Sequence, residues 1–184
     1  MTRTLLKTFK EIPETTEVTP ILEQKGLIQI TQNFVPTPHA YGGTTSRPGT
    51  IIGALDSSIT TTYDNTSILY ELSMSCEVHH DNVFVLQRIV NGVTTEIGSG
   101  LPAGGSAYGF AVSFYDNNQA STPERISFRY LDTPNVVAGS SILYRVRYYG
   151  AANHTLALNR TLSGTTNLAH ERSSSVVLLT ELGL

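Results

Sequence analysis

The apolar residues of this chain recur with the period of a strand. In residues 67–78, SILYELSMSCEV, Ile68, Tyr70, Leu72, Met74 and Cys76 alternate with Leu69, Glu71, Ser73, Ser75 and Glu77, the pattern of a strand with one face buried. NVFVLQRIV and VTTEI flank Asn91-Gly92, a dipeptide that accepts the positive φ angles of a type I′ hairpin turn. AYGFAVSFYD, ERISFRYLD, ILYRVRYYG, HTLALNRTL and SSVVLLTEL follow, separated by Gly, Pro, Asn and Asp turns. These make about eight strands, and no ten-residue stretch has helical amphipathicity. The class is all-β, a sandwich or jelly roll. The run Val176, Val177, Leu178, Leu179 lies close to the end of the sequence; a short apolar run of this kind fits a central strand covered on both faces. A jelly roll, which folds inward from both termini, places its last strand in mid-sheet.

Residues 1–50 differ from the rest. Pro13, Pro20, Pro36, Pro38 and Pro48 break the segment, each biasing its predecessor toward extended backbone. Short apolar pieces punctuate it: Leu5, Leu6, Phe9, Ile21, Leu22, Leu27, Ile28 and Ile30. The segment is too apolar for a solvated linker and too broken to build a core. It is read as an extended arm (1–50) that becomes ordered by lying on another subunit, ahead of a β domain (51–184).

Composition narrows the function. A net charge of −3 and a pI near 5.9 argue against nucleic acid as a partner. No apolar run reaches the roughly 18 residues of a membrane helix, and the first residues lack the apolar core of a signal peptide, so no membrane partner is expected and a cytoplasmic origin is. The single Cys76 reads as a small buried hydrophobe. Charged residues are 15% of the chain, below the usual ~25%, and all three lysines (Lys7, Lys10, Lys25) precede residue 26. Interfaces are depleted in Lys and Glu and enriched in Arg and Tyr, so much of this surface is expected to be contact surface.

Residues 131–182 resemble a C-terminal domain of phage virion proteins, especially those of cyanophages and marine phages. The resemblance is carried by Asp132–Pro134, Tyr144 with Val146, Asn153 with Thr155, Leu158–Thr161, and Ser174–Glu181. It implies a TNF/C1q-like jelly roll over roughly residues 55–184, forming homotrimers, and does not extend to the arm. In such trimers aromatic residues of inner strands pack around the threefold axis; Tyr144, Val146 and Tyr148 are the residues expected there.

Candidate chemistry is sparse. Glu77, His79 and Asp81 would share one face of a continued strand, with His80 on the other, and could hold an ion at a trimer axis; a polar strand end is the plainer reading, so no metal and no cofactor are expected. There is no Gly-x-Ser-x-Gly elbow. GSGLPAGG (98–105) matches neither dinucleotide nor Walker patterns and reads as a loop. No catalytic residue is assigned, and no enzyme activity is expected. Asn65, Asn153 and Asn159 begin sequon-like triplets, read as chance. YRVRYYG offers Tyr and Arg to a nucleic acid, yet a core or interface face suits an acidic protein better.

The function expected is that of a phage capsid decoration (cement) protein. It would bind the major capsid protein through the arm and stabilise the head shell as a trimer on the capsid outer surface, assembled in the host cytoplasm. A tail-fibre-associated or receptor-binding virion protein is the alternative; a secreted C1q-like module and a glycan-cleaving enzyme are more distant.

Overall fold

The computed structural model describes residues 26–79, 81–98, 109–112, 123–162 and 172–183. Its strands are β1 (Gly26–Val35), β2 (His39–Tyr41), β3 (Thr50–Ile51), β4 (Ser57–Thr60), β5 (Ser67–Glu77), β6 (Asn82–Val90), β7 (Val93–Ile97), β8 (Ala111–Val112), β9 (Glu124–Asp132), β10 (Ser141–Gly150), β11 (Leu156–Leu158) and β12 (Ser175–Gly183). All pairings are antiparallel and fall into two sheets.

Several of these are one strand broken once. β11 and β12 lie along the same side of β5, with Leu158 opposite Cys76 and Val176 opposite Ser73. β1 and β2 then follow along β12 and β11, interrupted where Pro36 and Pro38 cannot donate to a ladder. β3 and β4 share one side of β10, and β7 and β8 one side of β6. Joined this way, eight strands remain. The first sheet runs β1/β2, β11/β12, β5, β9; the second runs β3/β4, β10, β6, β7/β8. First therefore pairs with last, second with seventh, third with sixth and fourth with fifth. That is a long antiparallel hairpin rolled into two sheets, which is a jelly roll. The expectation of an all-β jelly roll holds, and the C-terminal strand sits in mid-sheet between β1 and β5.

The core lies between the sheets. Ile68, Tyr70, Leu72, Met74 and Cys76 of β5 and Val177 and Leu179 of β12 face Phe84 and Leu86 of β6 and Ile142, Tyr144, Val146 and Tyr148 of β10, all buried. Each such side chain contributes about 1.5–3 kcal/mol of apolar transfer free energy. The ring of Tyr70 lies 5.6 Å from that of Tyr144, and Phe84 lies 6.3 Å from Tyr148. Asp132 of β9 crosses between sheets, accepting from Arg88 Nη1 at 2.7 Å and from the Tyr144 hydroxyl at 2.8 Å. The Tyr148 hydroxyl donates to the Tyr41 carbonyl at 2.6 Å, and burial pushes its pKa up to about 12. Asn91 and Gly92 both take positive φ (50° and 78°) in the hairpin of β6 and β7, as the dipeptide predicts.

One buried asparagine closes both breaks of the first sheet. Asn159 sits between β11 and β12 with φ 59°, a left-handed conformation that Asn tolerates better than most residues. Its N–H donates to Ser75 O at 2.8 Å. Its Nδ2 donates to Val35 O at 2.6 Å and Thr37 O at 3.1 Å, on either side of the kink between β1 and β2. Its Oδ1 accepts from Ser175 Oγ at 2.6 Å. With its amide nitrogen so engaged and the side chain buried, Asn159 is closed to glycosylation in the folded chain.

Two expectations are corrected here. The domain does not begin at residue 51, because residues 26–41 already form strands of the first sheet; the hydrogen-bonding edge of β12 recruits them. Tyr144, Val146 and Tyr148 do not line an intersubunit axis. They point between the sheets and are fully buried within one chain, because the second sheet's inward face needs their bulk.

Candidate interaction surface

Strand β1 carries its polarity reversed. Gln29, Thr31 and Asn33 point into the sandwich and Ile30, Gln32 and Phe34 point out, as the register with β12 requires: Ile30 opposite Thr180, Gln32 opposite Leu178, Phe34 opposite Val176. The inward amides reach the other sheet. Gln29 Nε2 donates to Thr60 O at 2.6 Å and to Glu181. Asn33 Nδ2 donates to Ala54 O at 2.9 Å and Asp56 O at 3.0 Å. Glu181, itself buried, accepts the Thr62 N–H at 2.7 Å. Its burial alone would raise the carboxyl pKa, but the bonds from Gln29, Thr62 and Tyr63 outweigh this and hold it below the ordinary value. Polar groups thus clamp β1 at the sandwich edge and leave its apolar side chains facing outward.

Cross-strand pairs carry this face across the first sheet, with apolar and polar side chains in equal number over its three central rows, because residues directly opposite in antiparallel strands share a face. One row is Phe34, Val176, Ser73, Ser127; the next is Gln32, Leu178, Glu71, Arg129; the third is Ile30, Thr180, Leu69, Leu131; Leu27 and Leu182 follow. Leu27, Ile30, Phe34 and Leu131 are 61%, 58%, 56% and 49% exposed, half of the eight large hydrophobics exposed among the described residues. A shallow depression of about 560 Å³ lies over the centre, lined in part by Ser73, Ser127, Val176 and Leu178. Arg129 Nε meets Glu71 Oε1 there at 2.7 Å, and Arg125 of the same face donates from Nε to Ser73 Oγ at 2.9 Å.

The outer face of the second sheet is different. There the 44–49 loop lies over the strands. Gly150 N–H donates to Thr44 O at 3.0 Å and Arg147 Nε to Gly49 O at 2.8 Å. Arg47 pairs with Glu96 and stands 5.8 Å over the Tyr149 ring, so that Val83, Val85 and Tyr149 form a small buried cluster. Gly49 has φ 99°, and a Cβ there would fall 2.2 Å from Tyr148 O; only glycine allows so close an approach. Arg145 is held by Asp56 at 2.6 Å. The Arg/Tyr face of YRVRYYG is therefore occupied by its own chain.

Of the arm residues expected to make contacts, Leu27 and Ile30 stand exposed on the first sheet's outer face and Ile28 lies at a bulge, half-buried. Leu5, Leu6, Phe9, Ile21 and Leu22 lie outside the described residues. Phe34, Leu69, Leu131, Val176 and Leu178 were not foreseen, although a period-two reading of GLIQITQNFV separates Ile30 and Phe34 from Gln29, Thr31 and Asn33. Glu77, His79 and Asp81 do not form the row expected: β5 ends at Glu77 and Asp81 turns with φ 62°. Glu77 accepts the Leu162 N–H, and His79 packs on His154 with ring centroids 4.5 Å apart. No group of three or more potential metal ligands occurs among the described residues. His80 and residues 99–105 of the glycine-rich stretch lie outside them.

No protein-family model matches the sequence, and no curated protein matches it; the resemblance to phage virion proteins thus rests on the residues that carry it. Among solved structures, the infectious bursal disease virus Gt strain is similar at 12% identity and TM-score 0.41, over 84% of this chain and 38% of that one. T=1 particles derived from the same virus give 12% and 0.41, over 84% and 36%. Its VP2 subviral particle gives 11% and 0.39, over 84% and 37%. This chain spans little more than a third of the length of each. The jelly-roll assignment stands on the strand order itself and not on these likenesses.

Proposed function

We propose that this protein is a non-enzymatic phage structural protein that decorates and cements the capsid shell. It binds the major capsid protein as a homotrimer on the outer surface of the head. The observation that carries the reading is the set of exposed apolar side chains, Leu27, Ile30, Phe34 and Leu131, on the outer face of the first sheet, bordered by a strand that turns Gln29, Thr31 and Asn33 inward. A lone soluble domain has no use for such a reversal, whereas a domain that sits on a protein surface does. The jelly-roll topology and the resemblance of residues 131–182 to phage virion proteins support the choice of partner. Burying about 400–600 Å² of apolar surface on this face would yield roughly 10–15 kcal/mol gross at 25 cal/mol per Å². Association and ordering offset much of that, and three linked copies restore avidity.

The test is direct binding. Purified shells should take up the protein and resist heat better with it, and Ile30→Ser/Phe34→Ser, which alters two exposed positions, should weaken uptake at least tenfold without lowering the melting temperature. Shells that neither bind the protein nor gain stability would refute the proposal. Attachment to tails instead would establish the tail-fibre-associated reading.

A further inference from the structure

We infer that β1 is a self-pairing edge: two copies of the chain join their first sheets by laying β1 against β1, antiparallel, about a two-fold axis at Gln32. Among the described residues the two sheets end in four edges, and three of them are blunted against pairing with another chain. β9 carries Glu124, Arg125, Arg129 and Asp132 in nine residues. The edge of β3 and β4 is built of pieces two and four residues long, and that of β7 and β8 of pieces five and two residues long. β1 is the exception. It runs ten residues without a charge or a proline, and among the described residues a strand, β12, lies along one side of it only.

The chain itself sets the register. The ladder of β1 with β12 is irregular between Leu27 and Gln29, and Pro36, next after Val35, has no N–H to give. The regular stretch is therefore residues 29–35, and its midpoint is Gln32. A two-fold there pairs the whole stretch with itself. Moving the axis by one residue shortens the pairing, and placing it between residues sets outward side chains against inward ones. With the axis at Gln32, Ile30 of one copy meets Phe34 of the other on the outer face, where they are 58% and 56% exposed in the single chain. The two Gln32 amides meet each other, and an amide can both donate and accept. On the inner face Thr31 meets Asn33. No charge lies in the stretch, so two copies bring no like charges together. Gln29 and Asn33 already tie β1 to the second sheet, so the edge is ordered before it pairs and loses little entropy in doing so. The contact would add on the order of six main-chain hydrogen bonds, the way sheet edges recruit a further strand. It requires neither the shell nor the trimer proposed above; where that trimer forms, the contact joins trimers in pairs.

Charge exchange at the axis tests this on the full chain. At about 100 µM the native protein should sediment as an even number of 20.0 kDa protomers. Gln32→Glu and Gln32→Lys each set two like charges opposite one another across the axis, and each should raise the dissociation constant of the pair at least tenfold over a dilution series. Gln32 is exposed, so both variants should melt as the native protein does. An equimolar mixture of the two variants sets a carboxylate opposite an ammonium and should recover native association. Native protein that does not pair at this concentration, single variants that associate as tightly as the native chain, or a mixture no tighter than either variant alone would overturn the inference.

Discussion

Asn159→Asp isolates what holds the broken first sheet together, since it exchanges an NH2 for an oxygen of nearly the same size. The native amide nitrogen donates to Val35 O and Thr37 O, while the amide oxygen accepts from Ser175. Aspartate keeps the second role and loses the first. Two carbonyls would then lose their side-chain donor, at about 1–3 kcal/mol for each left unsatisfied, and the new carboxylate would face both. A loss of about 4 kcal/mol at pH 7 is expected, which for a domain of this size lowers the melting temperature by on the order of 10 °C. The pH dependence provides a second signature. Burial against carbonyl oxygens raises the folded-state pKa of the introduced acid above its ordinary value of about 3.9. The folded variant therefore binds more protons than the unfolded one. Its deficit relative to the native protein should be smallest below pH ~4 and should grow as pH rises through the folded pKa. Paired thermal melts of variant and native protein from pH 4 to 8 measure this. A variant melting within about 1 °C of the native protein at pH 7, or a deficit that does not change with pH, would show that Asn159 does not bridge the two breaks.

Two further outcomes follow from buried polar groups. The Tyr70 hydroxyl is buried with no hydrogen-bond partner among the described residues, so Tyr70→Phe should be neutral or stabilising by up to about 1 kcal/mol in denaturant melts; a clear destabilisation would reveal a partner. Glu181 has its carboxyl pKa held low by hydrogen bonds, so its contribution is present above the unfolded value near 4.3 and is lost as pH falls through the folded one. Glu181→Gln should accordingly be less stable than the native protein at pH 7 and converge with it near pH 3, and equal gaps at both pH values would contradict the clamp at the edge of β1.

The strands were legible in the sequence wherever one face is buried, because alternation then reports the fold directly. Ile68 to Cys76 and the run ending in Leu179 are examples, and the mid-sheet place of the last strand followed from them. What escaped was the role of residues 26–41. Leu27, Ile30 and Phe34 point outward and Gln29, Thr31 and Asn33 inward, so the pattern that marks a strand elsewhere here suggested an arm in search of a surface. Prolines 36 and 38 strengthened that impression, although the sheet tolerates them at a break that Asn159 spans. The Tyr144, Val146 and Tyr148 stripe misled in the opposite direction. An apolar stripe cannot by itself distinguish an intrachain core from an intersubunit one, and the reach of the second sheet decided it.

The two outer faces of the sandwich can be weighed against each other with the same physical rule. On the second sheet, Val83, Val85 and Tyr149 are apolar and are buried because Arg47, Gly49 and Thr44 of the chain's own loop lie over them. On the first sheet, Leu27, Ile30, Phe34 and Leu131 are as apolar and have no such cover among the described residues. The strands beneath them are nonetheless held, through Gln29, Asn33 and Glu181 at one edge. A face whose strands are held in this way loses little conformational entropy when it is covered. Stability of the sandwich does not require those four side chains to be apolar, since serine or threonine at the same positions would leave the core and the clamp intact. Their apolar character fits a surface made for contact rather than for folding.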